Sequence, residues 1–212
     1  MHPARLGKWL GGTPPPAAVQ PTPAALRAAS TAPESAAADN AADVPASWKT
    51  IASPPPPARG STPQIAMARW LGSKYRTAPA FMETLIIEAD KLSAAYRLSP
   101  NLLIAVMAIE SNFHPYIQSE AGAQGLMQVM PRIHARRYEK FGGASSFIDP
   151  LVSLKVGAEI LRDCVKLKDG SETEALRFYF GGGPSSDNYI DKVRAEQQRL
   201  NLVAAGRPLA VE

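Results

Sequence analysis

From residue 81 onward, apolar positions recur at the spacing of an α-helix. Met82, Leu85, Ile86, Ala89, Leu92 and Tyr96 mark one face of an amphipathic helix over 81–98. Ser99-Pro100 then gives a start signal, a capping hydroxyl followed by proline at the first helical position. The helix it opens, NLLIAVMAIESNF, is apolar nearly all round and is expected to lie centrally buried. His114-Pro115 is expected to end it, because proline disfavours the helical conformation in the residue before it. Asp149-Pro150 opens LVSLKVGAEILRDCVKLK, with Leu151, Leu154, Ala158 and Leu161 on one stripe, and Lys168-Asp169-Gly170 closes it. Gly157 inside that helix costs about 1 kcal/mol of helix propensity, which a close helix–helix approach would justify. Further helices are expected over 172–180, before the GGGP break, and over 189–203. Strand-like alternation is nearly absent, although the GAQG region suits a small hairpin. The fold class is all-α.

Ahead of this pattern the composition changes. Residues 1–63 hold 13 of the 20 prolines and 16 alanines but only nine of the larger apolar residues. Such a stretch buries too little apolar surface to offset its ordering entropy, so it reads as a disordered Pro/Ala-rich tail or extended linker. The chain of 212 residues thus divides into a tail (1–63), a short helical lead-in (64–80), a catalytic domain (81–205) and a C-terminal tail (206–212). The lone Cys164 excludes an intramolecular disulfide framework and a cysteine-based zinc cluster. The longest apolar run, residues 102–109, is far short of a membrane span. No apolar core follows the basic residues of MHPARLGKWLGG, so no signal peptide is visible in this sequence. A net charge of +4, with basic and acidic residues interspersed, gives no support to nucleic-acid binding. His114 and His134 lack companion ligands, so no metal and no cofactor is expected.

Glu110 is the residue whose placement invites chemistry. It lies at the downstream end of the most apolar helix, where burial and the partial negative charge of a helix C-terminus both disfavour its ionised form. A carboxyl raised in this way suits a general acid near neutral pH; the alternative is a carboxylate that reaches solvent or pairs with an arginine. Fifteen residues on, GLMQVMP mixes methionines with one amide between Gly125 and Pro131. Such a run exposes backbone and the Gln128 amide to a groove, or simply fills core.

Together, AIESNF and GAQGLMQVMP resemble the signature of the lytic transglycosylase (SLT, goose-type-lysozyme-like) family, which cleaves bacterial peptidoglycan. DPLVSLKVG resembles the family's D-P-x-x-N-x-x-x-G helix, with Ser153 in place of asparagine. EALRFYFGGG resembles the A-Y-N-x-G stretch, with Phe180 in place of asparagine, and YIDKV resembles the closing Y-V-x-K-V; the likeness covers about residues 82–203. It implies a lysozyme-like helical domain with Glu110 as the sole catalytic acid/base. It also implies a supporting role for Ser111, a hydroxyl near the scissile linkage at Ser119, sugar N-acetyl contacts at Gln128 and the Met127 backbone, and a hydrogen bond from Tyr179 to the glutamate. The implied partner is the peptidoglycan glycan strand, cleaved between N-acetylmuramic acid and N-acetylglucosamine with a 1,6-anhydro end. The implied location is the periplasm or cell envelope; the likeness leaves the Pro-rich tail unexplained, and a separate reading of its composition has it dock an envelope or secretion-machinery protein. Two rivals remain: a hydrolytic muramidase in which Glu120 or Asp149 activates water, and a non-catalytic peptidoglycan-binding or assembly protein.

Overall fold

The computed structural model describes residues 59–207. The tail over 1–58 and the last residues of the C-terminal tail, 208–212, lie outside the described residues. Seven α-helices are present among the described residues: α1 (Thr62–Tyr75), α2 (Pro79–Tyr96), α3 (Pro100–Ser111), α4 (Ala135–Glu139), α5 (Pro150–Leu167), α6 (Glu172–Phe180) and α7 (Ser186–Ala204). A 3₁₀ turn at Ala144–Ile148 precedes α5. The GAQG region forms two isolated antiparallel bridges, Gln118 with Gln124 and Gln124 with Val129. No described residue belongs to a longer strand.

The apolar pattern of 102–108 has the expected outcome: every one of these residues is buried. α3 is the central helix, packed between α2 and α7. Its end differs from expectation. The helix stops at Ser111 because Asn112 takes the left-handed conformation (φ 48°) and its N–H caps Ala108 O, a role asparagine fills with little strain. Phe113 follows with φ 62° and is buried, its ring edge-on to Tyr75 at 4.9 Å. The turn that leads from Glu110 into the motif loop is therefore made by residues 112–113, ahead of the proline.

The lead-in helix is an integral part of the core. α1 packs on α2 and α7 and buries Met67, Ala68 and Leu71. Lys74 Nζ reaches both carboxyl oxygens of Glu196 at 2.7 Å, and Tyr75 Oη donates to Glu196 Oε1 at 2.9 Å. Glu196 is only 2% exposed, so its charge is tolerable only with these partners and Arg199.

The α5 helix starts where the sequence indicates, with the Asp149 carboxylate accepting from the Leu151 and Val152 N–H groups at 2.8 and 3.3 Å. Gly157, however, answers to a loop rather than to another helix. A Cβ there would lie 2.5 Å from both Cβ and Sδ of Met127. One turn earlier, a Cβ on Gly125 would lie 2.5 Å from Ser153 Oγ. The small residues of α5 thus let the GLMQ segment lie directly on its backbone. Met127 Cβ is fixed to the main chain, so a rotamer change cannot relieve the clash at residue 157. Gly157→Ala is expected to destabilise the fold by about 1–3 kcal/mol, read as a fall in thermal midpoint of about 2–4 °C per kcal/mol. An unchanged midpoint would mean that this contact is loose.

Candidate active site

Glu110 is the penultimate residue of α3. The residue is half-buried, and the partial loss of water around its carboxyl pushes its pKa up to about 7. A hydrogen bond from Tyr189 Oη to Glu110 Oε1, 2.8 Å long, acts in the opposite direction by favouring the ionised form. The result is a carboxyl divided between acid and base near neutrality, oriented by a fixed donor.

That donor corrects one sequence expectation. Tyr179 does not bond to Glu110; its hydroxyl donates to Met127 O at 2.7 Å. The reason lies in register: Tyr179 sits on the last turn of α6 facing the GLMQ segment, while Tyr189, in the first turns of α7, faces the end of α3. The spacing of Tyr189, Val193, Glu196, Leu200 and Val203 marks one buried stripe of α7, but α7 packs against α1, α3 and α6, so the stripe turns Tyr189 inward without saying which helix it meets.

Ser111 is 2% exposed, with its Oγ 3.0 Å from Met107 O and 2.9 Å from Leu126 O. It ties the end of α3 to the motif segment, and its hydroxyl has no route to a substrate. Met127 is buried, its side chain against α5 and its carbonyl accepting from Tyr179. The Met127 carbonyl, part of the backbone expected to contact sugar, thus already accepts one hydrogen bond. Gln128 adopts φ 47° and is half-buried; its Nε2 donates to Gly125 O (3.0 Å) and Ile117 O (3.3 Å). Ser119 is half-buried on the loop, with its Oγ accepting from Ala123 N–H at 3.0 Å. Ser111 and Tyr179 therefore fasten the segment carrying Met127 through Leu126 O and Met127 O, while Gln128 and Ser119 stand on the loop.

The two rival carboxylates are placed differently. Asp149 is engaged as the α5 cap, and Glu120 is an exposed loop residue. Burial and Arg137 push His134 down to about 4. Among the described residues, no group of three or more His, Cys, Asp or Glu side chains is placed to hold a metal ion, and no helix is long and apolar enough to cross a membrane.

A family model described as the transglycosylase SLT domain matches residues 88–202. The chain belongs to this family. The match begins inside α2, so α1 lies outside the matched region. A transglycosylase of Enterobacteria phage PRD1 is 35% identical over 52% of this chain and 41% of the phage protein. The membrane-bound lytic murein transglycosylase C of Actinobacillus pleuropneumoniae is 46% identical over 22% of this chain and 13% of its own length. An endo-type membrane-bound lytic murein transglycosylase A of Klebsiella pneumoniae is 34% identical over 34% of this chain and 39% of its own. The chain thus spans less than half the length of each of these relatives. The solved lytic transglycosylase Slt of Pseudomonas aeruginosa aligns with a TM-score of 0.44 at 20% identity, over 59% of this chain and 25% of that one.

Within this SLT domain the two tyrosines are expected to separate experimentally. Tyr189→Phe removes the donor that favours carboxylate, so the Glu110 pKa rises further above 7. Tyr179→Phe frees Met127 O instead and leaves the Glu110 midpoint in place. Carbon-detected NMR titration of the glutamate carboxyl distinguishes them, and an equal shift in both variants would refute the assignment.

Proposed function

We propose that this SLT domain is a lytic transglycosylase acting on peptidoglycan, with Glu110 serving first as acid and then as base. The observation that carries the reading is the Glu110 carboxyl itself, raised to about 7 by partial loss of water and held by Tyr189. The names of the relatives, which include murein transglycosylases, point to the same substrate.

In the first step Glu110 protonates the oxygen linking N-acetylmuramic acid to N-acetylglucosamine. The substrate's own 2-acetamido group stabilises the developing oxocarbenium-like centre, as in substrate-assisted glycosidases. Glu110, now a carboxylate, accepts the proton of the muramoyl C6 hydroxyl, whose oxygen bonds to C1 and closes the 1,6-anhydro ring. An intramolecular nucleophile has high effective molarity and needs no second carboxylate to activate water. This suits a site in which Asp149 is spent on a helix cap and Glu120 lies exposed on a loop. Hydrogen bonding from the Tyr189 hydroxyl, which burial keeps protonated well above neutral pH, steadies the carboxylate between the two steps. On the loop, Ser119 borders the scissile linkage. Gln128, whose NH₂ is engaged by loop carbonyls, presents its Oε1 as an acceptor for a sugar N-acetyl N–H. The substrate places the enzyme in the bacterial cell envelope, where the Pro-rich segment would serve as a linker or a docking tract for an envelope protein.

Glu110→Gln keeps the shape but removes the transferable proton, so turnover is expected to fall by about 10³-fold or more. The variant also provides its own folding control. A carboxyl whose folded pKa is raised gives stability that is complete below its unfolded pKa and lost as pH rises through about 7. Above pH 7, Glu110→Gln is therefore expected to be the more stable protein, by roughly 2–3 kcal/mol. Mass analysis of products from the native enzyme is expected to show anhydromuramoyl ends. Reducing ends would favour the hydrolytic muramidase, and undiminished cleavage by the folded Glu110→Gln protein would overturn the assignment.

A further inference from the structure

Resting on the reading of Glu110 as the acid/base, we propose that Phe180 is a positioning residue that acts on the catalytic carboxyl through the ring of Tyr189. Phe180 stands where the family resemblance leads one to expect an asparagine, and the structure gives its ring a specific contact. Its centroid lies 4.6 Å from that of Tyr189 with an interplanar angle of 23°, a stacked pair. The hydroxyl of that same tyrosine donates to Glu110 Oε1 at 2.8 Å. The three groups thus form a line from α6 through α7 to the end of α3.

Phe180 is well placed for this. It is the last residue of α6, and Gly181 follows at φ 100°, with its N–H capping Arg177 O and Phe178 O. The ring therefore projects from a closed helix end rather than from a mobile loop. Its neighbour Tyr179, about 100° further round the helix, faces the GLMQ segment and donates to Met127 O. One turn of α6 accordingly braces both sides of the site. A tyrosine hydroxyl at the end of a rigid ring sweeps a wide arc for a small change in its torsions, and a hydrogen bond weakens steeply as its angle departs from linear. Stacking on the ring face limits that sweep. An asparagine at this position has no aromatic ring to stack, so the sequence departure that removes an amide also supplies a brace.

The other titratable groups facing this cluster are Tyr179 on α6, Cys164 on α5 and Tyr138 on α4. Burial pushes each upward, Cys164 to about 11, Tyr138 to about 12 and Tyr179 well above its ordinary value. All three are uncharged near neutrality, so a titration of the cluster in that range reports on Glu110.

The test uses the full chain. Phe180→Leu keeps apolar volume but removes the stacking face. It is expected to raise the Glu110 carboxyl midpoint by several tenths of a pH unit, because the Tyr189 hydrogen bond that favours carboxylate is weakened. It is also expected to lower kcat about three- to tenfold with KM little changed. Phe180→Tyr, which keeps the ring, is expected to restore both. In a Tyr189→Phe background, Phe180→Leu should add no further shift, because the link it acts through is already cut. Phe180→Met is read in the same way should the leucine variant fail to show a cooperative thermal transition. No change of midpoint in Phe180→Leu, or the same change with and without the Tyr189 hydroxyl, would overturn the proposal. Absence of glycan cleavage by the native chain would instead overturn the proposed function, and the carboxyl titration would still decide whether Phe180 and Glu110 are coupled.

Discussion

The site depends on one tension: a half-buried carboxyl, partly withdrawn from water at the end of an apolar helix, against a hydrogen bond that favours its charge. Burial alone would drive Glu110 toward permanent neutrality, and full hydration would leave it permanently ionised near pH 7. The Tyr189 hydrogen bond offsets part of the burial, and the balance falls at about 7. Much of the architecture serves to hold that balance. α3, buried over 102–108, holds Glu110 near its end, and α7, packed along α3, brings the donor. The Lys74–Glu196–Tyr75 cluster clamps α7 to α1 on the same helix that carries Tyr189.

The other side of the site is set by what is missing from α5. Gly157 and Ser153 remove bulk where Met127 and Gly125 approach, so the GLMQ segment rests against the helix backbone. Ser111 and Tyr179 then fasten that segment from two directions, one through Leu126 O and the other through Met127 O. Hydrogen bonds between side chains and main-chain carbonyls fix a loop that has almost no strand pairing of its own. The motif is therefore half scaffold: Leu126 and Met127 are buried, while Gln128 and the loop before it stay partly exposed.

The long helices were legible because their apolar spacing and proline-marked starts are local signals. α5 begins at the expected cap, and α6 has the expected span. The short α4 and the 3₁₀ turn were not legible: ARRYE and ASSFI are too brief to show a period, and α4 is held to α5 by the ion pairs of Arg137 with Glu159 and Asp163. Glu110 stood out from position alone. Its donor did not, since two tyrosines ten residues apart both lay in motif-like segments and only the packing of α6 and α7 shows which one turns toward α3. The reason for Gly157 was likewise hidden, because a glycine in a helix records a close approach without naming what approaches.

The claim on which this account stands is that Glu110 shares its proton near neutral pH before any substrate arrives. The direct measurement is the titration of its carboxyl carbon in the native chain, followed by NMR with selectively labelled glutamate. A midpoint near 7 is expected, with the resonance assigned by its loss in Glu110→Gln. A midpoint in the ordinary glutamate range, about 4–4.5, would show a hydrated carboxylate and contradict the account.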